Sequence, residues 1–457
     1  THTHTVGVQG HSCQEAARGG MVPFVEVVRL IRLRDTFFPR WYGFECRLAW
    51  LAGSLLTLLL AGLPLFTRSG LTLLIAATGA LWLLWSLVTP PDRIRPIGGW
   101  LLLFLGIAVL ATGFSPVPAA AAKGLVKLLG YLGVYALASK LLLSSNRWWD
   151  RLLAGLLCGG LVSSVLALRQ LYGNAEELAR WADPNSISEG TIRLYGPLGN
   201  PNLLAGYLLA LLPLATIAAL RWTGIGSRVF AVVTVALAGS SIVLTYSRGG
   251  WIGLMASMGV LMLLLLLRST RDWPPLWRRL FPLLVLLLGA ALLVVAASKL
   301  EPIRTRVSSL MAGRGDSSNN FRINVWMASF DMVQDRPWLG IGPGNNAFNR
   351  IYPLYQQPKF NALSAYSVPL EILVETGITG LMACLGLLIS TIRSGLAGLK
   401  MNDPAASAAL ASLAAVAGLL GQGIADTIFF RPEVQIIGWF CLATLTSLPS
   451  DERTSQC

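Results

Sequence analysis

Charged residues, histidines and paired cysteines are all scarce in this sequence of 457 residues. Only 13% of the residues are charged, against about 25% in a typical soluble domain, which excludes a surface exposed mainly to water. The three histidines, His2, His4 and His11, stand at the very beginning, so no later position offers an imidazole for catalysis or for a metal ion. The six cysteines form no Cys-x-x-Cys pair, and we predict no disulfide framework, no metal site and no cofactor.

Long apolar runs fill most of the chain, which is 54% hydrophobic and has a mean hydropathy of +0.61. Such runs can cross a hydrocarbon core of about 30 Å as helices, and lipid offers no partner to the backbone groups of an irregular segment. We therefore predict an all-α fold, a polytopic membrane helix bundle of about 12 transmembrane helices with a large periplasmic loop. The predicted spans are Leu48–Phe66, Leu71–Thr89, Ile97–Phe114, Gly124–Leu143, Leu152–Tyr172, Leu203–Leu220, Val229–Thr245, Trp251–Leu267, Leu280–Ala297, Val368–Ile392, Ala405–Gly421 and Val434–Leu448.

The distribution of positive charge predicts how the chain lies in the membrane. The net charge of +14 could indicate nucleic acid, but the lysines and arginines lie at the ends of apolar runs rather than in one stripe. We therefore expect the lipid bilayer as a partner and no nucleic acid. Short loops rich in lysine and arginine alternate along the chain, and such loops remain in the cytoplasm. The prediction is an inner-membrane protein with both termini in the cytoplasm.

The sequence divides into three parts under this interpretation. Residues 1–47 form a cytoplasmic N-terminal segment, of which 1–20 are predicted to be a disordered or non-native extension before Met21. Residues 24–34 are predicted to form a basic amphipathic helix on the inner leaflet, or else a charged flank of the first span. Residues 48–449 form the transmembrane domain with outer loops at 173–202 and 298–367, and residues 450–457 form a cytoplasmic tail.

The larger outer loop carries eight positive and four negative residues. Within it, Phe321–Gln334 has apolar residues at helical spacing, and the preceding cluster Ser317-Ser-Asn-Asn320 is typical of a helix N-cap. We predict a short amphipathic helix there, ended by the Gly/Pro-rich turn that follows Asp335.

Three arginines at the predicted outer face are candidates for an anion site, because a planar guanidinium binds phosphate or carboxylate through paired hydrogen bonds. Arg248 stands between two apolar runs with almost no loop, and Arg322 and Arg193 lie in the two outer loops. Alternatively, Arg248 is an interfacial arginine that marks a hairpin, and Arg193 is an ordinary loop charge.

Four further charged residues lie at or near membrane depth, where charge is costly. Glu371 and Glu375 are four residues apart and share a helix face. They are predicted to pair with the arginines, to relay protons or to bind a cation, or else to be structural salt-bridge partners. Asp426 and Arg431 bracket the last outer turn and are predicted to form an ion pair.

Several motifs resemble the O-antigen ligase and polymerase superfamily: Tyr195-Gly-Pro-Leu-Gly-Asn-Pro-Asn202, Ser247-Arg-Gly-Gly-Trp251, Arg322 followed by Asp335-Arg-Pro-Trp-Leu-Gly-Ile-Gly342, and Leu370-Glu-Ile-Leu-Val-Glu-Thr-Gly-Ile378. Asn361–Ser367 and Asp426–Glu433 are similar to the cyanobacterial, IctB-type group of proposed bicarbonate transporters.

The resemblance implies an inverted-cup bundle in which two arginines, here Arg248 and Arg322, hold the pyrophosphate of a polyprenyl-linked glycan. It also implies a loop histidine that acts in glycosyl transfer, but Ala365-Tyr366-Ser367 occupies that position. Tyrosine has an ordinary pKa of about 10 and is a poor base near neutral pH. Tyr366 and Glu371 are the remaining candidates for a catalytic role.

Three functions follow as hypotheses. The first is transport of inorganic carbon, chiefly bicarbonate, through an arginine-lined outer anion site. The second is a metal-independent glycosyltransferase that uses a polyprenyl-pyrophosphate glycan, and the third is a non-catalytic membrane scaffold. The partner is accordingly either a small anion or a lipid-linked pyrophosphate glycan. The missing histidine favours the first hypothesis, and the arginine pair with the large outer loop favours the second.

Overall fold

The computed structural model describes residues 39–89, 95–145, 147–174, 181, 192–299, 304, 313–401 and 403–448. Every regular element in these ranges is a helix, so the predicted all-α class is confirmed. The predicted extension at 1–20, the predicted amphipathic helix at 24–34 and the tail at 450–457 lie outside the described residues.

Fourteen α-helices make up the described chain. They are α1 Pro39–Gly62, α2 Arg68–Val88, α3 Pro96–Gly113, α4 Pro118–Ser144, α5 Arg147–Arg169, α6 Pro201–Arg221, α7 Ile225–Leu244, α8 Arg248–Ser269, α9 Pro275–Lys299, α10 Ser317–Asp335, α11 Asn345–Ile351, α12 Val368–Gly398, α13 Asp403–Gly423 and α14 Pro432–Ser447. Internal contacts divide the chain into Thr1–Leu48 and Ala49–Cys457, and only the beginning of α1 is described in the first unit.

Eleven of these helices are long and apolar enough to cross a membrane. Their bounds lie within a few residues of the predicted spans, which confirms a polytopic membrane bundle. The structure differs from the prediction at the twelfth span, which corresponds to α14. This helix has 16 residues and a length of only about 24 Å at 1.5 Å per residue, less than the apolar core of a bilayer.

The centre of the bundle is α6, whose residues are buried on all sides. A helix that is apolar around its whole circumference needs other helices around it rather than water. Helices α5, α7, α8, α13 and α14 supply that surrounding layer. Because α6 begins at Pro201, this packing fixes the position of Asn200 and Asn202 at the start of the helix.

The bundle has two ends with different hydrogen-bond patterns. At the first, here called the basic end, cationic side chains bind the final carbonyls of neighbouring helices: Lys140 donates to the Trp85 carbonyl at 3.0 Å and Arg268 to the Leu399 carbonyl at 3.3 Å. The opposite end, here called the loop end, includes the turn between α7 and α8 and carries the segment 313–367. The candidate residues lie at the loop end.

The predicted amphipathic helix of the larger loop is confirmed as α10, but it begins at Ser317 rather than Phe321. Its N-cap is Asp316, whose carboxylate accepts the Asn319 amide hydrogen at 3.1 Å. The predicted capping cluster at 317–320 instead forms the first turn of the helix. Val325, Ala328 and Met332 of α10 are buried in one cluster with residues of α4, α11 and α12.

An irregular segment reaches from α10 into a break in α12. Gly377 has φ +67° and ψ −170°, so it interrupts the helix nine residues after its start, roughly 14 Å along the axis. The Ile341 amide donates to the Val374 carbonyl and the Gly342 amide donates to the Glu375 carbonyl, each at 2.9 Å. The backbone groups freed by the break therefore have protein partners, as irregular backbone at membrane depth requires.

Substitution of Gly377 by alanine tests this arrangement. A Cβ atom there would lie 2.2 Å from the Trp338 carbonyl oxygen, and the backbone conformation is accessible only to glycine. We expect Gly377→Ala to lower the free energy of unfolding by about 1–3 kcal/mol, seen as a lower melting temperature of the purified protein.

The control is Gly259→Ala on α8, where nothing lies within 4 Å of the added Cβ. This substitution should leave the melting temperature unchanged or raise it slightly, because alanine is the better helix former. Equal melting temperatures for the Gly377 and Gly259 variants would contradict the described break.

Candidate functional site

Arg248 is fixed at the loop end by the turn between α7 and α8. It is the first residue of α8, and the Ser247 hydroxyl caps the helix by accepting the Gly250 amide hydrogen at 3.1 Å. The Arg248 Nη2 atom lies 3.1 Å from Asp316 Oδ1, and the two side chains are 9% and 0% exposed. A buried pair of this kind persists because each partner compensates the desolvated charge of the other.

Asp316 thus has two roles at once. Its carboxylate caps α10 and also binds Arg248, so it attaches the start of α10 to the start of α8. Because Arg322 lies in the second turn of α10, this contact also brings its side chain close to Arg248. Asp316 was not among the predicted site residues, because its partner Arg248 lies 68 residues earlier in the chain.

Arg248, Asp316 and Arg322 together are here called the arginine cluster, and Arg322 supplies its second guanidinium. Its Nη1 atom donates to the Ser318 hydroxyl at 2.9 Å, while its buried Nε atom has no hydrogen-bond partner. Burial lowers the pKa of Arg322; the charge of Arg248 acts in the same direction, and that of Asp426 opposes it. A buried donor without a partner is costly, so this atom is suited to an acceptor from a ligand.

Arg193 lies near the cluster and donates hydrogen bonds to two neutral groups. Its Nε atom donates to the Thr245 carbonyl at 3.0 Å, and its Nη2 atom donates to the Asn202 side-chain oxygen at 2.8 Å. These bonds connect the loop that precedes α6 with the α7–α8 turn and with the start of α6. The structure therefore places all three predicted arginines at one end of the bundle.

Asp426 is the second acidic residue near these arginines. It is buried, accepts the Thr427 amide hydrogen at 2.9 Å and binds the Asn202 side chain. Burial raises the pKa of Asp426, and the charges of Arg322 and Arg193 oppose that rise. If Asp316 and Asp426 are both ionised, the three arginines leave one positive charge in excess, which favours an anion.

The predicted ion pair between Asp426 and Arg431 needs correction. In the described chain, Arg431 Nε lies 3.8 Å from Glu433 Oε2, on the first turn of α14. The charged groups that act on Asp426 are Arg322 and Arg193. Asp426 is buried on the inner side of the turn, where the cluster offers two cations, whereas the Arg431 side chain is 45% exposed.

Tyr366 occupies the loop just before α12. Its backbone is left-handed, with φ +51°, and its ring packs against Phe321 with centroids 5.3 Å apart. Burial raises the pKa of Tyr366, Asp426 raises it further, and Arg322 opposes the change. The hydroxyl therefore carries its proton at neutral pH and is suited to donate a hydrogen bond.

Glu371 and Glu375 follow in the first turns of α12, and both are buried. One oxygen of Glu371 accepts the Ala365 amide hydrogen, and one oxygen of Glu375 accepts the Gly344 amide hydrogen. Oε1 of each residue has no hydrogen-bond partner. Their hydrogen-bond partners are thus backbone amides rather than the predicted arginines, and Lys127 is the cation that acts on Glu375.

Two neutral residues that the sequence did not single out complete the site. Asn202 binds both Arg193 and Asp426, and the Gln422 amide donates to the Asn202 carbonyl at 2.9 Å. Oε1 of Gln422 is buried without a partner. Asn202 belongs to the motif at 195–202, but only the packing of α6 against α13 shows its part in the site.

Residues 232–385 match the sequence model of the O-antigen ligase family. This third of the chain is O-antigen ligase-related. The matched range includes Arg248, Asp316, Arg322, Tyr366 and both glutamates, whereas Arg193, Asn202 and Asp426 lie outside it. No curated protein is significantly similar to the chain. Together with its apolar helices, the match identifies an integral membrane protein similar to O-antigen ligases.

Proposed function

We propose that the protein is a glycosyltransferase of the O-antigen ligase type that uses a glycan linked to a polyprenyl pyrophosphate. The observation that carries the proposal is the meeting of Arg248 and Arg322 at one end of the bundle, with Asp316 between the two helices. The likeness of residues 232–385 to O-antigen ligases supports the same reaction.

The two arginines suit a pyrophosphate because both present buried donors. In the proposed reaction an acceptor hydroxyl oxygen bonds to the anomeric carbon of the glycan. The bond from that carbon to the phosphate oxygen breaks, and polyprenyl pyrophosphate leaves with the electron pair. Arg248 and Arg322 stabilise the charge that develops on the leaving phosphate, which is the largest electrostatic change of the reaction.

A carboxylate takes the proton in place of the missing histidine. The pKa of Tyr366 is raised, so its hydroxyl is a hydrogen-bond donor rather than a base. Asp316 binds Arg248, and Asp426 binds the Thr427 amide and the Asn202 side chain. Glu371 has one oxygen held by the Ala365 amide and the other without a partner. We assign Glu371 as the acceptor of the proton released by the attacking hydroxyl.

The proposed location is the inner membrane, with the basic end in the cytoplasm and the loop end outside. Lysines and arginines lie in or next to the short turns between helices at the basic end, including Arg228, Arg271, Arg278 and Lys400. The positive-inside rule applies to such short turns, whereas the segment at 298–367 is too long for the rule to fix its position alone.

Bicarbonate transport is the second candidate function. The break in α12 at Gly377 favours it, because many transporters bind their substrate at discontinuous helices. The Ile378 amide that follows the break already donates to the Pro337 carbonyl at 2.8 Å, so this donor is not available to a translocated anion. Entry of labelled bicarbonate into liposomes that contain the purified protein would favour this candidate, and its absence would remove it.

Arg322→Lys tests the proposed transfer reaction. Lysine keeps the charge but cannot reproduce the planar guanidinium, so the initial rate of glycan attachment should fall by about 100-fold. The rate is measured in a deletion strain that expresses the variant, as surface glycan attached over time. Arg248→Lys should have a similar effect.

The matched control is Arg350→Lys, because Arg350 is exposed and lies in the same outer segment. It should retain the wild-type rate. A wild-type rate in Arg322→Lys, or surface glycan that does not change on gene deletion, would contradict the proposal and leave the scaffold hypothesis.

Orientation is tested by labelling single cysteines with a membrane-impermeant maleimide in intact cells, in a background without the native cysteines. Leu354 is 77% exposed in the outer segment and Trp273 is 45% exposed between α8 and α9. Leu354→Cys should react in intact cells, and Trp273→Cys only after permeabilisation. The reverse pattern would place the arginine cluster in the cytoplasm.

A further inference from the structure

A cleft at the basic end contains a second group of hydrogen-bond donors. It lies where the ends of α4, α5, α6, α13 and α14 meet. Its polar lining consists of Trp149, Arg221, Thr444 and Ser447. The cleft shares no residue with the arginine cluster at the loop end, so it is a separate site.

Arg221, the last residue of α6, supplies the positive charge. It forms an ion pair with Asp150, and its guanidinium stacks on the Trp149 ring with 4.7 Å between the guanidinium carbon and the ring centroid. The same Asp150 oxygen accepts a hydrogen bond from Trp222 Nε1 at 2.9 Å. The guanidinium is therefore oriented by its neighbours, and Asp150 already has two donors.

Trp149 supplies a donor that lacks a partner. Its side chain is 5% exposed, and its Nε1 hydrogen is buried without a hydrogen-bond partner. An indole nitrogen can only donate, and a buried donor without a partner is destabilising. An acceptor atom from a ligand in the cleft would satisfy it.

The two hydroxyl groups of the cleft already donate their hydrogen atoms within α14. Thr444 donates to the Phe440 carbonyl and Ser447 donates to the Thr444 carbonyl, each at 2.9 Å. A further cation is close, since Arg95 donates to the carbonyl of Leu448, a residue that lines the cleft. The donors of Arg221 and Trp149, with the charge of Arg95 nearby, favour a ligand that brings acceptor atoms and negative charge.

We propose that this cleft binds the phosphate of an anionic phospholipid headgroup, with Arg221 as the counter-charge and Trp149 Nε1 as a hydrogen-bond donor. A phosphate diester offers acceptor oxygens and one negative charge, and basic clefts between helix ends at a membrane surface are suited to such headgroups. The proposal does not depend on the transfer reaction at the opposite end.

The test is the melting temperature of the full-length protein in neutral detergent, with phosphatidylglycerol, phosphatidylcholine or inorganic phosphate added. Phosphatidylglycerol should raise the melting temperature by about 2–4 °C more than phosphatidylcholine does. Trp149→Phe should lose most of this difference. Phenylalanine keeps a ring for Arg221 to stack on and removes only the Nε1 donor.

Trp439→Phe is the matched control, because Trp439 Nε1 is also buried without a partner but does not line the cleft. This variant should keep the full difference. If Trp149→Phe does not yield folded protein, Arg221→Lys decides, since lysine keeps the charge and loses the planar fork.

An equal shift with inorganic phosphate, lost in Trp149→Phe, would support a phosphate site whose ligand is the free ion. Equal melting temperatures with the two lipids would overturn the proposal. So would a shift with phosphatidylglycerol that persists in both Trp149→Phe and Arg221→Lys.

Discussion

The need to compensate a buried positive charge shapes the loop end of this protein. Arg248 lies at the first turn of a membrane helix, where its desolvated guanidinium requires an anionic partner. Asp316 provides it, and because Asp316 is also the N-cap of α10, the same carboxylate fixes where α10 begins. Arg322 is carried to the site by that helix. The position of the second arginine thus follows from the charge of the first.

The break in α12 gives the site a rigid base. Gly377 opens the helix, and the segment around Gly340 and Gly342 enters the break and satisfies its carbonyls. This arrangement places Glu371 and Glu375 on the half of α12 that packs against α10 and against the inserted segment. Both carboxylates keep an unpartnered oxygen in a buried setting. A glutamate in such surroundings can exchange a proton without a histidine nearby, which fits the lack of histidine after His11.

The hydrophobic pattern was sufficient to predict eleven of the twelve proposed membrane spans and α10, because local composition decides whether a segment can be a lipid-facing or amphipathic helix. The sequence also singled out the three arginines that lie at the loop end, since a planar guanidinium suits an anion. The partners of these residues were not predicted. Asp316 lies 68 residues from Arg248, and Asn202 lies 220 residues from Gln422, so only tertiary packing brings them together. The interruption at Gly377 was missed for the same reason, because its hydrogen-bond partners come from a different segment.

A phosphate site between Arg248 and Arg322 is central to the proposed reaction, and a structure of the full-length protein with bound geranylgeranyl pyrophosphate tests it most directly. We expect phosphate oxygens about 3 Å from both guanidinium groups, with the Nε donor of Arg322 satisfied and the prenyl chain directed into the membrane. A pyrophosphate bound elsewhere on the protein, with neither arginine in contact, would contradict it.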